Sequence, residues 1–130
     1  MVLRNRGKYL NSVLKGKEYE KKVALYLEKQ GMQLLEQNFR CRHGEIDIVG
    51  IHKGCLVFVE VKYRKDNSRG AAEEAVGVSK QKKICYTSDY FRISRKQYQK
   101  MQVRYDVVAI TKDNIKWYQN AFPYQGKGGW

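Results

Sequence analysis

The sequence predicts one α/β domain in which a central mixed β-sheet is flanked by helices. Two β-branched runs, at 45–51 and 55–63, are separated by a Lys-Gly pair, a pattern that indicates a β-hairpin. Apolar residues at helical spacing precede this hairpin at 17–30, and a further β-rich run follows it at 103–111. Helical and strand segments that alternate in this way favour a sheet packed against helices.

The length of 130 residues, without repeats and with one proline, fits a single domain. Residues 1–15 are basic and predict an arm or a short helix, residues 16–122 predict the folded domain, and residues 123–130 predict a tail. No apolar run approaches the ~20 residues that a membrane span requires, and the basic N-terminus lacks an apolar signal-peptide core. We therefore expect a cytoplasmic protein with no membrane-embedded part.

The remaining elements follow from local signals. The helix at 17–30 is followed by a glycine, which supplies a stop. A second helix is predicted to begin at an N-cap, Ser79, and to reach about Phe91. Residues 65–72 predict a polar loop, and residues 115–118 predict a short last strand.

Basic residues outnumber acidic residues by 26 to 13, which gives a formal net charge of +13 and a pI near 9.7. Residues 1–30 carry 8 bases and 3 acids, and residues 62–104 carry 12 and 4, whereas residues 31–61 carry 3 and 4. A basic chain with one locally acidic stretch is typical of a protein that binds nucleic acid around a carboxylate cluster. The alternative is that the charges are scattered and solvated.

The three cysteines are odd in number and lack C-x-x-C spacing, so we expect reduced thiols. Cys41 with His43, and His52 with Cys55, superficially resemble two halves of a zinc site. The predicted hairpin places the two pairs at opposite ends, ~30 Å apart, so a shared zinc ion is not expected.

The hairpin gathers acidic side chains on one patch of the sheet. With a two-residue loop, paired residue numbers sum to 107, which places Asp47 opposite Glu60 and Glu45 opposite Lys62. The strand that carries Glu60 is apolar on both faces before this residue, as in a central, doubly covered strand. Charges at such depth need a partner or a metal ion, and a set of oxygen ligands suits Mg²⁺ or Mn²⁺. The alternative is a structural pair of cross-strand salt bridges with Lys62.

Two helical residues are further candidates. Glu20 lies on the apolar face of the first helix and could reach the sheet edge as a ligand of a metal ion or of its water. Gln81 shares a face with Ile84 and Cys85, whereas the neighbouring lysines point outward. Each also has a simpler explanation, as a solvent-edge glutamate and as a polar residue of an N-terminal helical turn.

At these residues the sequence resembles the PD-(D/E)xK nuclease superfamily, with Asp47 and Glu60-Val-Lys62 as the core motif. It resembles more closely the YraN family of small bacterial endonuclease-like proteins, which are related to archaeal-type Holliday junction resolvases. The resemblance covers nearly all of residues 16–122. It depends on these segments: Glu20-Lys-Lys-Val-Ala-Leu-Tyr-Leu, Leu35-Glu-Gln-Asn-Phe-Arg-Cys-Arg-His-Gly-Glu-Ile-Asp, Val57-Phe-Val-Glu-Val-Lys-Tyr-Arg, Glu74-Ala-Val, Lys80-Gln81, Arg104-Tyr-Asp-Val-Val and Asn120-Ala-Phe. Two positions depart from the superfamily pattern, because Ile46 replaces its proline and Tyr19 replaces the glycine before the helix glutamate.

The resemblance implies a restriction-endonuclease-like fold, often a homodimer, and metal-dependent hydrolysis of phosphodiester bonds in DNA, with branched or single-stranded DNA as candidate forms. Asp47, Glu60 and the Val61 carbonyl would hold Mg²⁺ or Mn²⁺. Lys62 would orient water or stabilise charge on the phosphate. Glu20 would position outer-shell waters of the metal, and Gln81 would fix the phosphate or Lys62. The candidates for contacts with DNA phosphates are Arg64, Lys65, Arg69 and Lys80.

The competing hypothesis is a non-catalytic nucleic-acid-binding module, RNA- or ribosome-associated, whose acidic patch is vestigial or structural. Net charge does not separate the two hypotheses, since both require a basic surface. Dependence on a divalent metal does separate them.

Overall fold

The computed structural model describes residues 2–64 and 76–126, with side chains from residue 16 onward. One sheet holds five strands in the order β1-β2-β3-β4-β5, and every neighbouring pair is antiparallel except β3 and β4. This mixed sheet with its helices confirms the predicted α/β class and is consistent with a restriction-endonuclease-like architecture. The elements are α1 (Val2–Lys29), β1 (Gln33–Cys41), β2 (Gly44–His52), β3 (Cys55–Tyr63), α2 (Val78–Ser94), a 3-10 turn (Lys96–Tyr98), β4 (Gln102–Ile110) and β5 (Ile115–Tyr118).

The β2–β3 hairpin has the predicted loop. Lys53 and Gly54 have φ angles of 49° and 78°, the left-handed conformations that a tight type I′ hairpin turn requires. The register pairs run from His52–Cys55 inward with residue numbers that sum to 107, as predicted. β3 also pairs with β4 along all nine of its residues, so β3 is the central strand of the sheet.

Each face of the sheet is covered by one helix. Leu56 and Phe58 of β3 belong to the core under α2, whereas Val57 and Val59 belong to the core under α1. The central strand is therefore buried on both sides, which confirms the interpretation of its continuous apolar run.

Three features differ from the sequence predictions. The first helix begins at Val2 rather than near residue 17, and the second is capped by Gly77 rather than Ser79, without a side-chain capping bond. The edge strand β1 was not predicted, because most of its side chains are exposed or half-buried and it lacks a regular apolar alternation. The predicted loop at 65–72 lies outside the described residues.

A buried polar cluster lies at the β5 edge of the sheet, the edge away from β1. The fully buried Asp106 carboxylate accepts hydrogen bonds from Arg104 at 2.8 and 2.9 Å, from Trp117 Nε1 at 2.9 Å and from the Asn120 backbone at 2.8 Å. Asp106 is therefore an ion-pair partner of Arg104. Within the part of the chain that the structure describes, no helix has the length and apolar character needed to cross a membrane.

Candidate metal and nucleic-acid site

The regular alternation of side chains breaks at Asp47. Ile46 packs in the core under α2, whereas Ile48 packs in the core under α1, although residues two apart on a strand should share a face. On β1, the facing position is Asn38, which has a φ angle of 55° and lies between two regular register pairs. The strands β1 and β2 are thus both irregular at the level of Asp47.

The break turns the Asp47 carboxylate toward β3. Its Oδ2 accepts a hydrogen bond from the Val61 backbone N–H at 2.7 Å. The β2–β3 register ends at the pair Ile48–Val59, just before this bond. The predicted direct pairing of Asp47 with Glu60 is therefore wrong in detail, since a side chain-to-backbone bond replaces the last part of the ladder. The bond still holds Asp47 beside the residue that follows Glu60.

Glu60 is the buried carboxylate of the pair, with 7% of its surface exposed. The Lys62 ammonium lies 3.9 Å from its Oε1, and the Lys80 ammonium lies 4.0 Å from the same oxygen. Lys62 comes from β3, as predicted, whereas Lys80 comes from the first turn of α2. Sequence reasoning placed Lys80 on the outer face of its helix and did not predict its approach to Glu60.

Both carboxyls have raised pKa values. Burial raises the pKa of Asp47 to about 6, with smaller contributions from the charges of Glu20 and Glu45, against the lowering effect of the Val61 hydrogen bond. Burial also raises the pKa of Glu60 to about 7, with the Asp47 charge as the next cause, and Lys80 and Lys62 offset this only in part. A cation that binds between two such neighbouring carboxyls stabilises their ionised forms.

Glu20 lies half-buried at a groove next to this pair. The groove has a volume of about 470 Å³ and is lined by residues of α1 and β1, including Lys17 and Asn38, and by Glu45 of β2. The Asn38 amide donates a long hydrogen bond of 3.5 Å to Glu20 Oε2. The structure thus places Glu20 within electrostatic reach of Asp47, on the α1 side of the sheet.

Gln81 is buried, and both ends of its amide have partners within the protein. Its Nε2 donates to the Val76 carbonyl at 2.7 Å, and its Oε1 accepts from the Gln125 side chain. These bonds tie the segment before α2 to the helix, one residue after Lys80. Its contacts suit a residue that positions the start of α2 and, with it, Lys80.

The partner of Glu45 differs from the one that the sequence predicts. It is paired across the β1–β2 ladder with Arg40, whose Nε lies 3.3 Å from its Oε2. The predicted register pair of Glu45 with Lys62 is wrong, since the β2–β3 ladder ends before reaching them.

The predicted phosphate contacts are described only in part. The Arg64 side chain is half-buried at the end of β3, and its backbone N–H donates to the Ile110 carbonyl at 2.9 Å. Lys80 has 44% of its side chain exposed. Lys65 and Arg69 lie outside the described residues.

The donor set fits a hard divalent cation. In residues 16–64 and 76–126 no group of three or more His, Cys, Asp or Glu side chains is gathered for a metal ion. The available donors are the two carboxylates, with the Val61 main chain beside them. Mg²⁺ is commonly bound by one or two carboxylates and keeps several of its waters, so the buried Glu60 and the half-buried Asp47 are sufficient for it.

The fold and the site define a class, namely small basic α/β proteins with two acidic side chains gathered where the central hairpin ends. The model of the uncharacterised protein family UPF0102 matches residues 19–110, and the chain belongs to this family. This confirms the resemblance to the YraN family.

Relatives share most of this chain. It is 42% identical over 117 residues to a UPF0102 protein of Lachnoclostridium phytofermentans, a match that covers 90% of this chain and 99% of the relative. It is 38% identical over 109 residues to one of Pseudomonas fluorescens, covering 82% and 91%. It is 40% identical over 111 residues to one of Persephonella marina, covering 85% and 95%. These relatives carry only the family name, so an activity has to be argued from the site.

Proposed function

We propose that this protein is a divalent-metal-dependent endonuclease that hydrolyses phosphodiester bonds in DNA, with branched and single-stranded DNA among the candidate substrates. One observation carries the proposal. Asp47 and Glu60 lie close together with pKa values raised to about 6 and about 7, next to two lysines. Shifted pKa values in such a cluster are typical of functional sites.

The direction of the Glu60 pKa shift argues against a purely structural salt bridge. A carboxylate held mainly by ion pairs with Lys62 and Lys80 would have a pKa below its ordinary value. Burial and the neighbouring Asp47 instead raise the pKa of Glu60 to about 7. The two ammonium groups, at 3.9 and 4.0 Å, therefore do not compensate for the cost of burying this charge.

In the proposed mechanism Asp47, Glu60 and the Val61 carbonyl would hold Mg²⁺ or Mn²⁺. Such an ion, when bound, polarises a phosphoryl oxygen and makes water a better nucleophile. Lys62, with its ammonium beside Glu60, would stabilise negative charge that develops on the phosphate oxygens. Glu20 would orient water from the α1 side.

The protein would hold DNA by its basic side chains around this site. Lys80 lies at the site and is nearly half exposed, so it can contact a phosphate next to the one that is cut. Arg64, Lys65 and Arg69, at and after the end of β3, would bind phosphates further along the strand.

Cys41, Cys55 and Cys85 are free thiols, which supports a cytoplasmic location.

The test is cleavage of duplex, single-stranded and four-way-junction DNA in Mg²⁺ or Mn²⁺, compared with EDTA. We expect cutting that requires the metal and falls roughly 100-fold or more in Asp47→Asn and Glu60→Gln. Asp113→Asn, at an exposed carboxylate of the β4–β5 connection, is the matched control and should cut as the wild type does. Cutting that persists in EDTA or in both variants would reject the proposal. Binding without cutting on all substrates would favour the non-catalytic alternative.

A further inference from the structure

A second groove lies on the α2 side of the site. It has a volume of about 530 Å³ and runs between the β1–β2 turn and the first turns of α2. Its basic lining residues are Arg40, Arg42, His43, Lys80 and Lys83. Of the predicted phosphate contacts that the structure describes, Lys80 lines this groove and Arg64 does not.

The cations of this groove differ in their ion pairs, because Arg40 and Lys80 each lie near a carboxylate whereas Arg42 and Lys83 do not, within the described part of the chain. Arg40 is paired with Glu45 at 3.3 Å, and Lys80 lies 4.0 Å from Glu60. Arg42 and Lys83 are both exposed, and among residues 16–64 and 76–126 no carboxylate lies within ion-pair distance of either. Their positive charges are thus not neutralised by the described part of the protein.

The backbone that carries Arg42 and Lys83 is held in place by close packing. Gly44, with a φ angle of 152°, lies so near α2 that an added Cβ would come within 3.2 Å of Thr87 Oγ1. The same Thr87 hydroxyl donates to the Lys83 carbonyl at 2.7 Å. The turn after Arg42 and the helical turn of Lys83 are therefore fixed against each other, which lowers the entropy cost of binding one ligand with both.

The groove also reaches the candidate metal site. Lys80 lines the groove and lies 4.0 Å from Glu60, and Glu45, which also lines it, is two residues before Asp47 in β2. A polyanion that lies in this groove would contact Lys80, whose ammonium is 4.0 Å from Glu60 Oε1.

We propose that Arg42 and Lys83 bind backbone phosphates of a DNA strand in this groove, beside the phosphate that reaches Glu60. The inference rests on the proposed function and adds the path of the bound strand to it. Both side chains contact phosphates rather than bases, so binding here is independent of sequence.

The experiment measures binding of a labelled DNA duplex and of a single strand in EDTA, where no cutting occurs, over a range of KCl concentrations. Each cation that contacts a phosphate adds about one unit to the slope of log K against log salt. The double variant Arg42→Ala/Lys83→Ala should reduce this slope by about two units and weaken binding roughly tenfold or more at low salt. The conservative variant Arg42→Lys/Lys83→Arg should retain the wild-type slope.

The matched control is Lys112→Ala/Lys116→Ala, which removes the same charge from exposed positions in the β4–β5 connection and in β5. If the groove variant binds DNA like this control, the inference is overturned. Competition by polyglutamate at the same charge concentration as a DNA strand would also overturn it, since the groove would then bind acidic polymers in general.

The inference and the proposed function fail in different ways. Loss of DNA binding in the groove variant, with no cutting by any protein, would support the groove and reject the nuclease. Metal-dependent cutting with unchanged binding in the groove variant would support the nuclease and reject the groove.

Discussion

The Asp47 carboxylate accepts the backbone N–H of Val61 at 2.7 Å, so a side chain of β2 is bonded to the main chain of β3 where their regular pairing ends. Val61 lies between Glu60 and Lys62 in the chain. This one bond therefore fixes the position of Asp47 relative to both. The bond uses Oδ2, and among residues 16–64 and 76–126 no donor is bonded to Oδ1, the oxygen that a bound cation would need.

Glu60→Gln should stabilise the protein near neutral pH. Because the folded chain binds protons at Asp47 and Glu60 more tightly than the unfolded chain does, the free energy of unfolding falls as the pH rises from about 4 through about 7. The neutral amide avoids this loss at position 60, and we expect a gain of roughly 1 to 3 kcal/mol near pH 8 that disappears near pH 4. Urea unfolding at both pH values measures it. Glu28→Gln, on the exposed side of α1, should leave the stability unchanged, and a Glu60→Gln variant that is less stable at pH 8 would contradict the account.

Asn38 should tolerate glycine better than valine. Its φ angle of 55° lies in the left-handed region, which a β-branched residue adopts only at a cost of about 1–2 kcal/mol or more, whereas glycine adopts it freely. Asn38→Val should therefore lower the free energy of unfolding by about that amount relative to Asn38→Gly. Denaturant unfolding of both variants measures the difference. Equal stabilities would show that the irregularity opposite Asp47 is not maintained by the backbone of Asn38.

Asp106→Ala should strongly destabilise the edge of the sheet that holds β5. Removing this buried carboxylate leaves the Arg104 guanidinium without its ion pair and removes the acceptor of Trp117 Nε1, at a cost of about 3–5 kcal/mol. Thermal unfolding measures the loss, and the fluorescence of Trp117 reports on the same edge. Asp113→Asn, outside this cluster, serves as the control. A change below about 1 kcal/mol would mean that the cluster contributes little to the stability of the fold.

His52 should make the protein less stable in mild acid. Burial lowers the pKa of His52, and so do the positive charges of Arg104 and Lys53, against the opposing charge of Asp106. A lowered pKa favours the neutral ring in the folded state, so its stabilising contribution is complete above the unfolded pKa of about 6.5 and is lost as the pH falls below it. The difference in stability between the wild type and His52→Gln, measured from about pH 7.5 down to 5, should shrink with falling pH. A difference that grows toward low pH would reverse the assigned sign.

The hairpin and the burial of Glu60 could be predicted because their signals are local. A two-residue Lys-Gly loop fixes a register, and a continuous apolar run indicates a strand that is covered on both faces. The sequence therefore supplied the correct strand pairs from Ile48–Val59 to His52–Cys55.

The geometry next to the carboxylates could not be predicted in the same way. The break in alternation depends on the left-handed Asn38 of β1, a strand whose exposed side chains give no clear apolar period. The approach of Lys80 to Glu60 depends on how α2 packs on the sheet, which no local spacing specifies. Glu45 pairs with Arg40 rather than with Lys62 because Arg40 belongs to β1, the strand that was not predicted.

The most direct test of the central claim is anomalous diffraction from crystals of this protein soaked in Mn²⁺. We expect one strong peak between the carboxylates of Asp47 and Glu60, with metal–oxygen distances of about 2 Å, and no such peak in crystals of Glu60→Gln. Crystals that show no manganese at these carboxylates, or that bind it equally well after Glu60→Gln, would contradict the account.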